Sequence, residues 1–306
     1  MHKYAEARGM LSKLKHENID KVWKSVLEGA LFEARTGNID ISRKLFKYLM
    51  HSVPWYGPIY SEAFKLEENE HQDEAAYNII CRGLTELPRY GPLWFGLFRL
   101  TERKDSRLEY RMWQMGKKPI LTHTVRETEE AAQLISKELT WKVHFERSQC
   151  EERAAEVAAV GLSRHSDLSL MQCRDLMLRD ARISLVKSLL SCPANLRWRV
   201  LLVGARLELS IGCSAGESTA HFTNNTVASK SLRKTRDLLR RAAQEVPVKS
   251  RSYVYLECSR VEEYCGNLDT ARLLLARAKR EQDGKFLSNI YSKLFAFLLM
   301  YFWLKI

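Results

Sequence analysis

Apolar side chains recur at three- and four-residue steps along most of the chain, the period of a helix with one buried face. Val22, Trp23, Val26, Leu27, Leu31 and Phe32 form one such stripe, and Ile41, Leu45, Phe46 and Leu49 form the next. Between them, Gly37-Asn38 supplies residues that tolerate a left-handed backbone and so close a helix. Asp40 is the expected N-cap of the second helix. Pro54 ends that helix, because the residue before a proline avoids the helical region. Two more helices are predicted over 59–69 and 73–86, with Pro58 in the first turn and Ile79, Ile80 and Leu84 as an apolar stripe.

The pattern then repeats itself. Gly57-Pro58-Ile59-Tyr60 leads to Phe64, Leu66 and Glu67; Gly91-Pro92-Leu93-Trp94 leads to Phe98 and Leu100, with Glu102 close by. Equivalent residues are 34 apart. A period in the thirties marks a helical repeat array. The expected fold is all-α: a right-handed α-α superhelix of antiparallel helix pairs, each burying its aromatics against its neighbours. Residues 1–306 read as one array, with its clearest repeats at 22–102.

The middle, 104–193, is less regular. Residues 104–118 are highly charged, Lys117-Lys118-Pro119 is a break, and a helix follows over 125–139. Trp141, Phe145 and Glu146 restore the first-helix pattern, and a second helix is expected from Arg153. Residues 168–191 read as a degenerate pair around Ala181-Arg182-Ile183. The register returns over 194–284 with Trp198, Leu202, Ala205, Leu207 and Glu208. Ser210–Ser229 is rich in Gly, Ser, Thr and Asn and reads as a flexible insertion. Glu262–Arg272 echoes Glu33–Arg43, sharing Glu, Gly, Asn, Asp and Arg. Residues 1–16 resemble the second helix of a repeat, and 286–306 a first helix, so both ends are expected to be truncated repeats. The apolar run Leu294–Leu304 has 11 residues between Lys293 and Lys305, against the roughly 20 that a membrane span needs. It reads as a repeat helix.

Composition agrees with helix: 14 Gly and 7 Pro in 306 residues. The net charge of +12 favours a polyanion such as nucleic acid as partner. Seven cysteines at irregular spacings contain no C-x-x-C pair, so neither a zinc site nor a redox motif is supported. No cofactor and no small-molecule substrate are implied.

An aromatic in the first helix, a Glu near its end, a Gly-Asn turn and then Asp-x-Ala/Ser-Arg, closed by Pro, resembles the half-a-TPR (HAT) repeat family. The carrying residues are Trp23, Glu33, Ser42, Arg43 and Pro54; Tyr60, Glu67, Ala75 and Pro88; and Trp94. Further on they are Trp141 and Glu146; Trp198, Glu208 and Pro247; and Tyr255, Glu262, Ala271 and Arg272. The resemblance implies that the aromatics pack between helices and that Glu and Arg tie neighbouring elements. It also implies a non-catalytic scaffold in RNA processing: splicing, 3′-end or ribosomal RNA maturation, or organellar RNA stabilisation. Other proteins of an RNA-processing complex are the implied partners, with RNA and a homodimer as further expectations. The nucleus is the implied compartment, with chloroplast, mitochondrion or cytoplasm as alternatives. The competing reading is a TPR-type adaptor for a peptide or chaperone tail.

Two stretches offer chemistry of their own. Gly212-Cys213-Ser214-Ala215-Gly216 fits the nucleophile-elbow pattern, which requires a strand before it and a helix after; a loop between helices makes it a chance match. On the helix predicted over 230–243, Lys230, Arg233, Lys234, Arg240 and Arg241 share a face opposite Leu232, Leu238, Leu239 and Ala242. Arg277, Lys279 and Arg280 would extend it, giving a candidate surface for RNA phosphates.

Overall fold

Asn18 opens the first helix: its side-chain oxygen accepts the Asp20 N–H at 3.1 Å, satisfying a donor that the helix leaves orphaned. The computed structural model describes residues 6, 8, 9, 12, 13, 17–114, 122–164, 168–214 and 226–281, with the side chains of 106–122, 157–173 and 213–229 outside that description. Among the described residues there is no strand; the regular structure is helical.

The first two pairs are α1 (Ile19–Arg35) with α2 (Ile39–Ser52), and α3 (Gly57–Asn69) with α4 (Asp73–Glu86). Then come α5 (Gly91–Gln114), α6 (Thr122–Leu134), α7 (Thr140–Arg164) and α8 (Leu168–Ser191). The last two pairs are α9 (Arg197–Ser214) with α10 (Thr226–Glu245), and α11 (Arg251–Tyr264) with α12 (Leu268–Arg280). Within pairs, α1 packs on α2, α3 on α4, α5 on α6, α9 on α10 and α11 on α12. First helices of successive pairs also touch: α1–α3, α3–α5, α5–α7 and α9–α11. This is TPR-like stacking, and the fold class is all-α as expected. The chain divides into two compact units, 1–181 and 182–306, with the division inside α8. Tyr60, Phe64, Ile80 and Leu93 are fully buried in the first; Leu201, Leu207 and Val254 are in the second.

The turns follow one rule. Gly37 (φ +83°), His71 (φ 57°) and Gly266 (φ +80°) each sit four residues after a Glu: Glu33, Glu67 and Glu262. One residue later the N–H of Asn38, Gln72 or Asn267 bonds back to that Glu carbonyl at 2.8–2.9 Å. This is the Schellman closure, which demands a left-handed residue. Asn38, not Asp40, precedes α2; Asp40 lies in its first turn, where its charge suits the helix dipole. Gly57 and Gly91 answer a different need. A Cβ at Gly57 would lie 2.7 Å from the Tyr90 ring, and one at Gly91 2.7 Å from Leu139. In both cases the residue heading the next first helix sits directly on the glycine.

The middle departs from the sequence reading. Residues 168–191 form one continuous helix, not a pair. The helix from Trp141 runs through Arg153, where a second helix was expected to start. The charged stretch after Lys104 extends α5 as far as Gln114. None of these positions carries a residue that favours the left-handed turn, so helix propensity carries on. The break expected at 210–229 narrows, because α9 continues to Ser214 and α10 begins at Thr226. The Lys117–Pro119 break, the core of that insertion and the 286–306 apolar helix lie outside the described residues, as does most of 1–16.

Candidate functional site

The repeated Glu holds the layers together. Glu33 accepts two bonds from Arg8 (2.7 and 2.9 Å), and Glu67 two from Arg43 (both 2.8 Å). Glu208 accepts from Arg182 (2.7 and 2.8 Å), and Glu262 from Arg236 (both 2.7 Å). Each Arg lies 24–26 residues before its Glu; Arg43 and Arg236 stand on second helices and Arg182 on α8. Each therefore bridges one pair to the first helix of the next by the two-pronged geometry that suits guanidinium and carboxylate. The Glu33, Glu67 and Glu208 side chains are buried, that of Glu262 is partly so, and the Arg stems are half-exposed. The Arg8 guanidinium holds the Glu33 carboxyl below the usual 4.5 against the opposing effect of burial, and Asn38 adds a bond at 2.6 Å. Glu262 is lowered in the same way by Arg236, then by Asn267. Arg8, Arg182 and Arg236 were not among the expected tie residues. Their signal, an Arg about 25 residues before each Glu, was present in the sequence.

The aromatic positions fill the layers. Trp23 packs on Tyr56 with ring centroids 4.5 Å apart, and Tyr60, Trp94, Trp141 and Trp198 are buried. Trp94 Nε1 donates to the Pro88 carbonyl at 2.7 Å.

The middle shifts the register. Trp23 and Trp198 each precede their Glu by ten residues, and the same step from Trp141 reaches Glu151, not Glu146. Glu151 is 3% exposed and accepts from Arg147 at 2.9 Å. Glu146 is desolvated, which raises its carboxyl pKa. Arg153 bonds Glu102 with both prongs, one at 2.8 Å. At one junction the tie runs the other way: Arg103 on α5 reaches back to Glu68 at 2.7 Å and Asp73 at 3.7 Å. Tyr77 takes the Arg position and Thr101 the Glu position, and both line a polar cavity of about 490 Å³. Beside it the buried Asp105 accepts the Thr124 N–H (2.8 Å) and hydroxyl (2.7 Å), with His123 Nδ1 at 2.8 Å, and so caps α6. Arg272 meets Asp269 on its own helix at 3.2 Å.

The expected basic face is exposed at Lys230, Arg233, Lys234, Arg240 and Arg241 on α10, and at Arg277, Lys279 and Arg280 on α12. It is less uniform than the residue pattern implied. Asp237 lies within the same helical arc and takes Arg240 at 2.8 Å. Lys234 Nζ stands 3.9 Å from Glu208, and the Arg277 guanidinium covers the Tyr255 ring at 4.6 Å.

The amino-acid sequence matches the PRP6 TPR-like domain over residues 1–292. The chain belongs to the PRP6 TPR-like family. A TPR-containing protein of Dictyostelium discoideum is 44% identical over 190 residues, which is 62% of this chain and 12% of that protein. The chain thus spans a small part of that relative's length. The HAT resemblance and the PRP6 TPR-like family agree on an all-α helical-repeat array.

Within this PRP6-type array the nucleophile-elbow pattern loses its context: Gly212, Cys213 and Ser214 are the last residues of helix α9, and no strand precedes them. The Ser214 side chain and residues 215–216 lie outside the description. Gly212 is four residues after Glu208, the same step that places Gly37 and Gly266. Burial pushes the Cys150 thiol far up and that of Cys258 to about 11, which leaves both unreactive. Among the described residues no group of His, Cys, Asp and Glu could hold a metal ion, and no helix is long and apolar enough to cross a membrane.

Proposed function

We propose that this chain is part of a non-catalytic scaffold in RNA processing, of the splicing type, that binds proteins of a larger nuclear assembly. The carrying observation is the family match over 1–292 combined with layered packing. The most repeated charged residues bond one another across layers, which suits a scaffold and leaves them unavailable for acid–base chemistry. The test is affinity purification of the tagged protein from nuclear extract. Enrichment of spliceosomal small nuclear RNAs and their proteins supports the reading; chaperones alone would favour the peptide-adaptor alternative and overturn it.

A second reading has the α10–α12 basic face contacting RNA directly. Its support is the exposure of Lys230, Arg233 and Arg241 together. The purified chain should then bind single-stranded RNA with a salt slope of about 0.7 per phosphate contact. Replacing Arg233, Lys234, Arg240 and Arg241 by Glu should flatten that slope. Unchanged affinity at low salt removes the reading.

A further inference from the structure

Protein interiors contain few voids larger than a water molecule. Between α8, α9 and α10 there is instead an open cavity of about 400 Å³ whose lining is almost wholly apolar. Leu185 and Leu189 of α8, Leu201 and Leu207 of α9 and Leu238 of α10 line it. Gly204 sits among them, where a Cβ would come 3.6 Å from Leu238 and 4.0 Å from Leu185. A methyl would fit there in ordinary contact, so the absence of any side chain is what leaves the groove deep. A glycine inside a helix costs about 1 kcal/mol relative to alanine, so it calls for a compensating reason.

The apolar surface does not stop at the lip. Val186 is 57% exposed at the edge of the groove, and Ile183 (46%) and Leu190 (78%) follow on the adjoining flank of α8. An opening continued by exposed aliphatics suits a chain segment with successive apolar residues better than one compact ligand. The rim sets its charge. Arg182, Lys234 and Arg241 border the groove, and Arg233 and Arg240 stand nearby on α10, against Glu208 and Asp237. Glu208 already receives Arg182, with Lys234 at 3.9 Å and half-exposed, and Asp237 receives Arg240, which among the described residues leaves Arg241 and Arg233 unmatched beside them. The balance left for a partner is positive.

We propose that this groove receives an amphipathic helix of a partner protein, its apolar face on Leu185, Val186, Leu189 and Leu238 and its flanking acidic residues on Lys234 and Arg241. This is helix-in-groove recognition with charged flanks setting orientation and on-rate. The inference deepens the scaffold reading by naming partner chemistry and rests on it only in taking the partner to be protein. It also gives Lys234 and Arg241 a role other than RNA contact.

The test selects short peptides from a random displayed library on the full 306-residue chain and measures their binding by fluorescence anisotropy. Enriched peptides should combine apolar residues at helical spacing with Asp or Glu. They should bind Gly204→Leu, which fills the groove, about tenfold more weakly. They should lose a similar factor on Lys234→Glu with Arg241→Glu, both exposed positions that leave the core intact. If Gly204→Leu fails to fold by circular dichroism, the charge variant decides. No enrichment, equal binding to the variants, or enrichment of basic peptides overturns the proposal. So does displacement by single-stranded RNA, competition by a synthetic 286–306 peptide, or a concentration-dependent dimer that Gly204→Leu abolishes. Peptide binding without spliceosomal co-purification would remove the pathway and keep the groove; the converse would remove only the groove.

Discussion

Between Ile19 and Glu86 the helices are 13 to 17 residues long; between Gly91 and Ser191, α5, α7 and α8 reach 24 or 25. Both regions stack first helix on first helix, so the difference is not one of fold. It lies four residues past the Glu position. Gly37 and His71 turn left-handed there, whereas Asp105 and Ala155 remain helical. The ties change as well. Glu33 and Glu67 reach back 24–25 residues to an Arg, while Glu151 takes Arg147 on its own helix and Glu102 takes Arg153 further along the chain. Helix length alone does not decide it: Arg182 on the 24-residue α8 still reaches Glu208 with both prongs. Gly212 adds a qualification. It occupies the turn step after Glu208, yet α9 runs past it. Glycine permits the turn, and the immediate docking of a second helix makes it.

The largest expected effect tests the shared packing. Phe64 is 1% exposed between α3 and α5, and Phe64→Ala should cost about 3–5 kcal/mol in urea unfolding. Phe145→Ala, at a half-buried site on α7, should cost distinctly less. Equal losses would mean that the two regions are packed alike.

Next comes the tie. Glu67→Ala should destabilise by about 1.5 kcal/mol, the scale of a hydrogen bond to a charged group. Removal of the partner by Arg43→Ala should give a similar value, and the double variant little more than either. Additive losses would show that the pair acts as two independent side chains.

The turn step comes third. His71→Gly should stabilise by about 1 kcal/mol, because a non-glycine residue in the left-handed region is strained. Ala155→Gly should destabilise by about 1 kcal/mol with α7 unbroken, since glycine alone does not create the turn. Loss of helical circular dichroism in Ala155→Gly would overturn the account given for Gly212.

The smallest effect is with pH, and its sign differs between a Glu tied to an Arg and a desolvated one. Glu262 is lowered below 4.5 by Arg236. Its contribution is complete above the unfolded value and is lost as pH falls through the folded one. Glu262→Gln should therefore blunt the acid-side fall in Tm. Glu146 is raised by burial, so its cost grows as pH rises through the raised value. Glu146→Gln should raise Tm at neutral pH and do little in acid.

The helical class, the 34-residue step, the slots of Trp23, Tyr60, Trp94 and Trp198, and the turns at Gly37 and Gly266 were all legible in the residues. Each is set by contacts within a few positions: a 3.6-residue period, a residue that accepts positive φ, a proline that cannot extend a helix. His71 was missed because the left-handed conformation there is imposed by its neighbours and not favoured by its side chain. Glu151 was missed because Glu146 is also a Glu on the same helical stretch, and only the step of ten from Trp141 separates them. The step of about 25 residues narrows the choice, and tertiary structure decided which of the neighbouring cations turns inward to each carboxylate. Arg236 turns inward to Glu262 while Arg233, one turn away, faces solvent, and nothing in local pattern distinguishes them. It also decided that α7 and α8 run unbroken and that Gly204 opens a groove instead of closing a core. Such outcomes depend on the angle and spacing at which whole helices stack, and a side chain's own sequence neighbourhood carries little of that information.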